Sequence, residues 1–355
     1  MANLSKRAFD ALSANLFANA TQLNGFFIGH TGHDFIDWFN LELAGKGTFA
    51  KRRISPDSGQ SMEAVKKEFA DFWNAIPFIF KQPVISVFDF AALASIVINE
   101  TGGRFRSVSE RCRQGRLDDQ GRLHAGLPYA FDKFQFAENA GGKRSYNTLE
   151  SNLTAHDCFA SPLFCEAHKD LALAAQVAGA ADPARIDAAW KGKTYPADKF
   201  VTINDTAQAG FIMQADFYKF RGRGPIQITG RAPYRRLVQI VQQYNGPNPV
   251  FQKFRGKWQG LSPDDACTIS RNADWEEIFE EKLMVGLSVR AFAEIALPSK
   301  NLLVMQRDLA RLNTETRQAG SFFAMGRIIS GSDGYARNTF KPRVVALLEK
   351  MADVG

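Results

Sequence analysis

One long apolar run constrains the fold of this chain more than any other feature. Residues 87–98 are apolar at nearly every position. A run of this length and composition predicts a helix over residues 86–99 that is buried on all sides. Gly102 and Gly103 follow almost directly and are expected to end it, as glycine does at helix C-termini.

A second unusual stretch, residues 218–231, combines three glycines, a proline and three arginines with alternating apolar residues. Glycine permits positive φ and a close approach of the backbone to a ligand, and proline fixes φ. Residues 226–229 alternate apolar with polar side chains, which predicts a short half-buried strand after a strained turn. Such a strand would hold Gln227 and Thr229 toward a cleft.

Most of the remaining chain is predicted to be helical, with a small sheet near Ile226. Residues 1–80 are expected to form an N-terminal helical segment of unknown role, with Trp38 and Trp73 in its core. A helix is predicted over residues 62–74. Its candidate caps are Asp57, Ser58 and Ser61.

Residues 81–355 are predicted to form the main domain, with an insertion at 112–215 that braces the fold, forms a wall of a cleft or docks a partner. The predicted helices of this domain, beyond that at 86–99, cover residues 171–177, 183–190, 234–244, 275–296, 304–316 and 321–329.

The composition narrows the possible partners. A net charge of +7 suits an anionic partner, although a basic surface with no specific partner explains it equally well. The basic residues are spread out, with small clusters at 51–53, 221–223 and 235–236. Nucleic-acid binding would favour a dense basic stripe, so it is not expected.

Metal binding and membrane spanning are not expected either. The cysteines at positions 112, 158, 165 and 267 fit no zinc-site spacing. Cys158 and Cys165 could pair, but unpaired core thiols are the main expectation. His30 and His33 lack a nearby third ligand. No stretch reaches the ~20 apolar residues of a membrane span, and polar residues interrupt the N-terminal apolar run, so no cleaved signal peptide is predicted.

Residues 99–103, Asn-Glu-Thr-Gly-Gly, and the run at 218–231 together resemble the family 19 glycoside hydrolases. This family includes chitinases and endolysins that cut cell-wall glycans. The resemblance covers residues 86–111 and 217–236, and more weakly 322–343. It implies a lysozyme-like, mainly helical α+β fold. The cysteine framework of the plant members is not recognisable, which favours a bacterial or phage origin and a reducing site of synthesis.

Glu100 is the candidate general acid. Glycoside hydrolysis needs a carboxylic acid to protonate the leaving oxygen. On a helix, Glu100 shares a face with Leu93, Ile96 and Val97. An apolar surround and a helix C-terminus both disfavour negative charge, which favours the protonated form that a general acid requires.

Glu110 is the candidate general base. Endolysin-like relatives carry a second glutamate about nine residues after the first. Here the extra residue Arg104 shifts that spacing to ten, and Ser109 stands where the first of a glutamate pair would be. The alternative is that Glu110 is a surface charge in a loop. The reserve candidates are Glu138, Glu150 and Glu166.

The resemblance also implies roles in substrate positioning. Thr229 takes the place of a hydroxyl residue that holds the attacking water, and Gln227 takes a substrate-contacting position. Arg223 either orients a catalytic carboxylate or ties the turn to the core. The other residues assigned to substrate binding are Tyr218, Ile228, Tyr234 and Ser330.

Two departures affect the substrate subsites. Pro233 stands before Tyr234 where many relatives carry an asparagine, and proline has no side-chain donor for a sugar acetamide. Ser330 stands where the family has an asparagine, with Arg337 and Arg343 following at plausible distances. Substrate specificity therefore cannot be copied from the chitinases.

The resemblance implies an inverting mechanism, with carboxyl groups roughly 6.5–9.5 Å apart. Together with the positive charge, it predicts hydrolysis of β-1,4 bonds in bacterial peptidoglycan, with no metal or organic cofactor. The alternatives are a chitinase and a non-catalytic glycan-binding protein. We expect a monomer that is made in the cytoplasm and acts on the cell wall after release or secretion. A delivery or immunity partner would suit such a protein.

Overall fold

The computed structural model of the protein describes residues 2–80, 83–110, 116–117, 123–125, 219–296, 308–317, 320–330 and 332–354. The chain divides into two compact units. The first unit comprises Met1–Val108, Gly224–Gln227 and Glu281–Gly355, and the second comprises Ser109–Arg223 and Ile228–Glu280. The boundary predicted at residue 80 lies inside the first unit. Most of the predicted insertion lies outside the described residues.

The described part of the chain is mainly helical, as predicted. Its helices are α1 (Lys6–Leu12), α2 (Ala20–Thr31), α3 (Phe35–Glu42), α4 (Met62–Phe80), α5 (Val87–Thr101), α6 (Arg231–Gln242), α7 (Pro249–Lys257), α8 (Pro263–Ile269), α9 (Asn272–Glu280), α10 (Lys282–Ala296), α11 (Leu309–Asn313), α12 (Phe322–Ser330), α13 (Asp333–Tyr335) and α14 (Lys341–Ala352). A short 3₁₀ turn covers Gly47–Phe49, and a wider π turn covers Ala336–Phe340. Among the described residues, no helix has both the length and the apolar character to cross a membrane.

The strands are short. In the first unit, β1 (Leu16–Phe17) pairs antiparallel with β2 (Ile85–Ser86), with Leu16 opposite Ser86 and Phe17 opposite Ile85. In the second unit, β3 (Arg116–Leu117) pairs antiparallel with β4 (Leu123–Ala125). Because β2 leads directly into α5, the first pair anchors the start of that helix.

The predicted strand at residues 226–229 does not form. Residues 224–227 make a tight turn, and Arg223 and Ile228 are joined across it by a single isolated bridge. Gln227 has a φ of 51° and Gly224 a φ of 78°, which lie in the left-handed region that an extended strand cannot use. The alternation of apolar and polar side chains in this stretch therefore belongs to a turn.

The helix predictions hold best where a local cap is present. Ser86 caps α5 by accepting a hydrogen bond from the Asp89 amide at 3.1 Å, and Gly102 ends the helix with a φ of 69°. Ser61 caps α4 in the same way, at 3.2 Å from the Ala64 amide.

Other helix predictions need correction or lie outside the description. The helix predicted over 275–296 is in fact two helices, α9 and α10. Within the range predicted at 304–316, α11 is the helix in the described residues. The helices predicted at 171–177 and 183–190 fall outside the description, as do Cys112, Cys158 and Cys165.

The core of the first unit surrounds α5, whose residues from Val87 to Ile98 are all buried. Aromatic rings fill much of this core. Phe35 stacks on Phe69 with ring centroids 5.2 Å apart and meets Phe90 of α5 edge-on at 5.0 Å. The predicted core positions of Trp38 and Trp73 are confirmed, since only 2% and 3% of their surfaces are exposed. Helices α1 and α14 also pack together, and α14 packs on α5.

The second unit has its own aromatic core. Tyr234 of α6 lies between Phe220 and Trp275, with ring centroids 4.9 Å and 4.7 Å away. Helix α6 packs on α7 and α8, and α7 packs on α9. The indole of Trp275 donates a hydrogen bond to the buried Ser270 hydroxyl at 2.9 Å, which holds α9 against the end of α8.

Candidate functional site

Glu100 lies in the last turn of α5, in the first unit. Its side chain is half-buried, while Leu93, Ile96 and Val97 on the same helix face are at most 1% exposed. The prediction that Glu100 follows a buried apolar helix and shares a face with these residues is confirmed. A carboxyl group in this position can meet a ligand while its helix is held rigidly by the core.

The backbone turns sharply just after Glu100. Gly102 and Gly103 adopt φ values of 69° and 85°. A β-carbon on Gly103 would lie 2.6 Å from Cγ1 of Ile54, so the loop before α4 packs directly against this glycine. The Thr101 hydroxyl donates to the Val97 carbonyl at 2.9 Å and is within 3.1 Å of the Arg104 carbonyl, which stabilises the turn further.

Two neighbours donate hydrogen bonds to one oxygen of Glu100. The side-chain Nδ2 of Asn99 donates to Oε1 at 2.7 Å and to the Tyr335 hydroxyl at 2.5 Å. The Tyr335 hydroxyl donates to the same Oε1 at 3.3 Å. Within the described residues, Oε2 of Glu100 accepts no hydrogen bond. This arrangement orients the carboxyl group and leaves one of its oxygens available to a ligand.

The Tyr335 hydroxyl keeps its proton. Burial raises the pKa of Tyr335, and the nearby negative charge of Glu100 raises it further. The Tyr335 hydroxyl is therefore a hydrogen-bond donor at neutral pH. It stands at the end of α13, so the C-terminal helices help to position Glu100.

Arg343 holds the other end of the Asn99 amide. Its Nη1 donates to Oδ1 of Asn99, and its Nε donates to the Thr48 carbonyl at 3.1 Å. Since the oxygen of the amide faces Arg343, its NH₂ group must face Glu100 and Tyr335. The contact with Asn99 gives Arg343, which follows Ser330 along the chain, a specific role beside Glu100.

Gln227 belongs to the first unit and lies at the end of the tight turn. Its side-chain amide donates to the carbonyls of Val108 and Gly224, both at 2.8 Å. The predicted role in substrate contact stays a prediction. The observed contacts tie the turn to the segment that leaves α5.

Glu110 belongs to the second unit and is exposed. Its Oε2 accepts a hydrogen bond from the Gly222 amide at 3.1 Å, and its own amide donates to the Gly222 carbonyl at 2.7 Å. The side chain of Arg221 donates to the Glu110 carbonyl at 3.0 Å. Glu110 is thus held by the glycine-rich run, and its role as a base stays a prediction.

Arg223 does hold a carboxylate, but that carboxylate is Glu276. The Arg223 side chain is 0% exposed, and its Nη2 lies 2.7 Å from Oε1 of Glu276. Arg221 reaches the same oxygen at 2.6 Å, while the Ser109 hydroxyl donates to Oε2 at 2.9 Å. Burial opposes ionisation of Glu276, but the two arginine charges outweigh it and lower its pKa.

Tyr234 and Ile228 lie in the core of the second unit. Tyr234 is 0% exposed, and its hydroxyl accepts from Arg223 at 2.8 Å and donates to the Arg221 carbonyl at 2.7 Å. Ile228 is 2% exposed. Their predicted contact with substrate therefore needs correction, because both side chains are enclosed by protein. Thr229 is half-buried, and its predicted role with water stays untested.

Ser330 and the reserve candidates complete the set of predicted site residues. The Ser330 hydroxyl lies 3.1 Å from the Gly326 carbonyl and accepts from the Ser332 amide at 3.1 Å, so it ends α12 locally. Tyr218 and the reserve candidates Glu138, Glu150 and Glu166 lie outside the described residues.

Sequence reasoning missed two residues that the structure places at these sites. Tyr335 donates a hydrogen bond to Glu100 although the two residues are 235 positions apart in sequence. Tyr335 belongs to no motif that would have indicated this contact. Glu276 lies in a helix with several other acidic residues and cannot be told apart from them by pattern. The available signal was the presence of Arg221 and Arg223 in a run that is otherwise glycine-rich and apolar, since guanidinium groups that become buried favour an acidic partner.

The site has to be judged on its own chemistry, because a scan against models of protein families, a search of the curated proteins and a search of the solved structures each found no match. The resemblance to family 19 therefore rests on the motifs at residues 99–103 and 218–231. The function that follows is a proposal.

Proposed function

We propose that this protein is a glycoside hydrolase that cleaves β-1,4 bonds of bacterial peptidoglycan, with Glu100 as its general acid. The observation that carries the proposal is the hydrogen bonding of this carboxyl group. One oxygen accepts from Asn99 and Tyr335, and the other accepts from none of the described residues. A general acid needs such an oxygen, since its proton must be directed at the glycosidic oxygen.

The proposed reaction uses two carboxyl groups. Glu100 protonates the leaving oxygen as the bond to the anomeric carbon breaks, and a base removes a proton from the water that attacks that carbon. Glu110 is our proposed base, on the strength of the motif, and the reaction then inverts the anomeric configuration. Asn99 and Tyr335 keep the Glu100 carboxyl in one orientation through the reaction.

Peptidoglycan is favoured over chitin by charge. The chain carries a net charge of +7, and the peptides of peptidoglycan bear carboxylates while chitin is neutral. A chitinase remains the second candidate, because it would need the same acid. The exposed Glu110 and the substitution of Pro233 for an asparagine favour a third, a glycan-binding protein without catalysis.

The test is mass spectrometry of purified peptidoglycan, and in parallel of chitin oligosaccharides, after incubation with the protein and its variants. Glu100→Gln should abolish new reducing ends, with at least about a hundredfold loss of rate. Glu110→Gln tests the base in the same assay. Glu63→Gln is the matched control, because Glu63 is an exposed residue of α4, and its rate should equal that of the wild type.

The outcomes of this assay distinguish the three candidate functions and test Glu100 as the acid. Muropeptides with new reducing ends from the wild type and from Glu63→Gln, but not from Glu100→Gln, support the proposed hydrolase. Products from chitin alone would move the protein to the chitinases. Equal products from wild type and Glu100→Gln would eliminate Glu100 as the acid. Absence of products from both glycans, with wall binding retained, would leave the glycan-binding protein.

A further inference from the structure

A cluster of basic side chains without acidic partners lies in the first unit. Lys51, Arg52 and Arg53 follow the 3₁₀ turn Gly47–Phe49. Within the part of the chain that the structure describes, none of the three forms an ion pair with a carboxylate, and neither does Arg343. In the described residues, the clusters at 221–223 and 235–236 do contain ion pairs, of Arg221 and Arg223 with Glu276 and of Arg235 with Asp264.

Arg52 differs from its two neighbours in burial. Lys51 and Arg53 are exposed, whereas Arg52 is half-buried. The Nε of Arg52 is shielded from water and has no hydrogen-bond partner among the described residues. A buried N–H group without an acceptor is unfavourable, and few occur in folded proteins without a reason. No other nitrogen of the Arg52 guanidinium group donates to a described residue either, so this half-buried side chain has donors to offer to a ligand.

Arg343 connects the Arg52 segment to Glu100. Its Nε donates to the carbonyl of Thr48, four residues before Arg52, and its Nη1 donates to Asn99, next to Glu100. Burial and the nearby charge of Arg52 both lower the pKa of Arg343. Arg343 thus joins the segment that carries Arg52 to the residue next to the candidate acid. Neither of these two guanidinium groups is neutralised by an ion pair with Glu100.

We propose that Arg52 and Arg343 form a carboxylate-binding subsite beside Glu100. This inference rests on the proposed function and specifies its substrate as a glycan whose peptide substituents carry free carboxylates. A guanidinium group binds a carboxylate through paired N–H donors, and two adjacent guanidinium groups favour an anion strongly over a neutral group. Neutral chitin offers no such partner. The subsite gives Arg52 of the N-terminal segment a role in specificity.

The test measures binding by calorimetry in the Glu100→Gln background, so that the ligand is not consumed. The probes are a disaccharide-peptide fragment of peptidoglycan with free carboxylates, the same fragment with its carboxylates amidated, and a chitin oligosaccharide. The free-carboxylate probe should bind at least tenfold more tightly than the amidated one. Adding Arg52→Gln should remove this difference and leave the amidated probe unaffected.

Arg53→Gln is the matched control, because it removes the same charge from the exposed neighbour. It should change the affinity for each probe less than twofold. Arg52→Lys keeps the charge but loses the paired donors, and it should restore only part of the preference. Thermal unfolding of each variant checks that the fold is retained.

The comparison of free and amidated probes uses unchanged arginines, so it stands even where a substitution harms folding. Equal binding of these two probes would overturn the subsite and leave the hydrolase intact, provided that the wild type still cuts peptidoglycan. A tenfold loss with Arg53→Gln as well would also overturn it, in favour of a diffuse charge effect. If no probe binds and no glycan is cut, the subsite and the proposed function both fall.

Discussion

At the scale of single residues, Gly103 shows how closely the turn after Glu100 is constrained. Its φ of 85° is one that other residues adopt only with strain, and its hydrogen faces Ile54 where a methyl group would clash. Gly102 has a similar φ of 69°, but a methyl group there would meet only the side chain of Arg104, at 3.9 Å. A substitution at either position would strain the backbone, but only a substitution of Gly103 would also create a steric clash.

We expect Gly103→Ala to lower the free energy of unfolding by about 2–4 kcal/mol, the sum of backbone strain and overpacking. Gly102→Ala is the control and should cost only about 1 kcal/mol, because strain is its main cost. Urea denaturation measures both. Equal losses for the two variants would contradict the close contact with Ile54.

At the scale of elements, α9 is joined to the glycine-rich run by Glu276. Two arginines, 8% and 0% exposed, form ion pairs with this carboxylate. Removing the partner of a buried ion pair typically costs about 3–5 kcal/mol. Because the Glu276 side chain is 37% exposed, solvent reduces this cost, and we expect about 2–3 kcal/mol for Glu276→Gln.

The neighbouring residue provides the control. Glu277 pairs with Lys253 on the surface, and both side chains are well exposed. Glu277→Gln should change the free energy of unfolding by less than about 1 kcal/mol. The measurement is chemical denaturation followed by tryptophan fluorescence, since Trp275 lies in the same helix. A loss for Glu276→Gln no larger than that for Glu277→Gln would show that the two arginines do not depend on Glu276.

The loop before α4 is tied to the segment after α5 by Asp57. Arg104 Nε donates to both oxygens of Asp57, at 2.8 and 2.9 Å, and Arg106 donates to Oδ2. The hydrogen bonds from Arg104 are the main reason that the pKa of Asp57 lies below its usual value. Residues of the N-terminal segment thereby brace the turn that follows Glu100.

This ion pair makes a pH-dependent contribution to stability. A carboxyl group with a lowered folded-state pKa stabilises the protein above the unfolded value of about 3.9, and this stability is lost as the pH falls through the folded-state value. Asp57→Asn should therefore cost about 1 kcal/mol at pH 7, and the difference from wild type should close as the pH falls below about 4. Asp10→Asn, in an exposed pair with Lys6, should cost no more than about 0.5 kcal/mol. An undiminished difference for Asp57→Asn at low pH would assign its effect to packing.

At the scale of the whole molecule, the net charge of +7 predicts salt-sensitive binding to an anionic wall. The Debye length falls from about 30 Å at 0.01 M salt to about 10 Å at 0.1 M, so long-range attraction is screened in this range. We expect the Glu100→Gln variant to bind insoluble peptidoglycan several-fold more weakly at the higher salt concentration. A co-sedimentation assay measures this, and chitin, which is uncharged, is the control polymer. The same salt dependence with chitin would rule out charge as the cause.

The features that the sequence by itself determined depend on interactions between residues that are close together along the chain. The start of α5 after Ser86, its burial and its end before Gly102 follow from a cap, an apolar run and a glycine within 17 consecutive positions. The start of α4 after Ser61 follows from a cap in the same way. The position of Glu100 at the end of a buried helix could therefore be predicted from its neighbours along the chain.

Only the tertiary structure decided which partners these residues meet. Tyr335 and Arg343 contact the Asn99–Glu100 pair from more than 230 positions away in sequence. Glu276 of α9 contacts Arg223 of the glycine-rich run. Such pairings depend on how whole helices pack, and local composition carries no record of them. The turn at 224–227, where left-handed backbone conformations replaced the expected strand, also involves a distant residue, because the Gln227 side chain donates to the Val108 carbonyl. The sequence thus determined where the candidate acid stands, and the packing of distant helices determined how its carboxyl group is held.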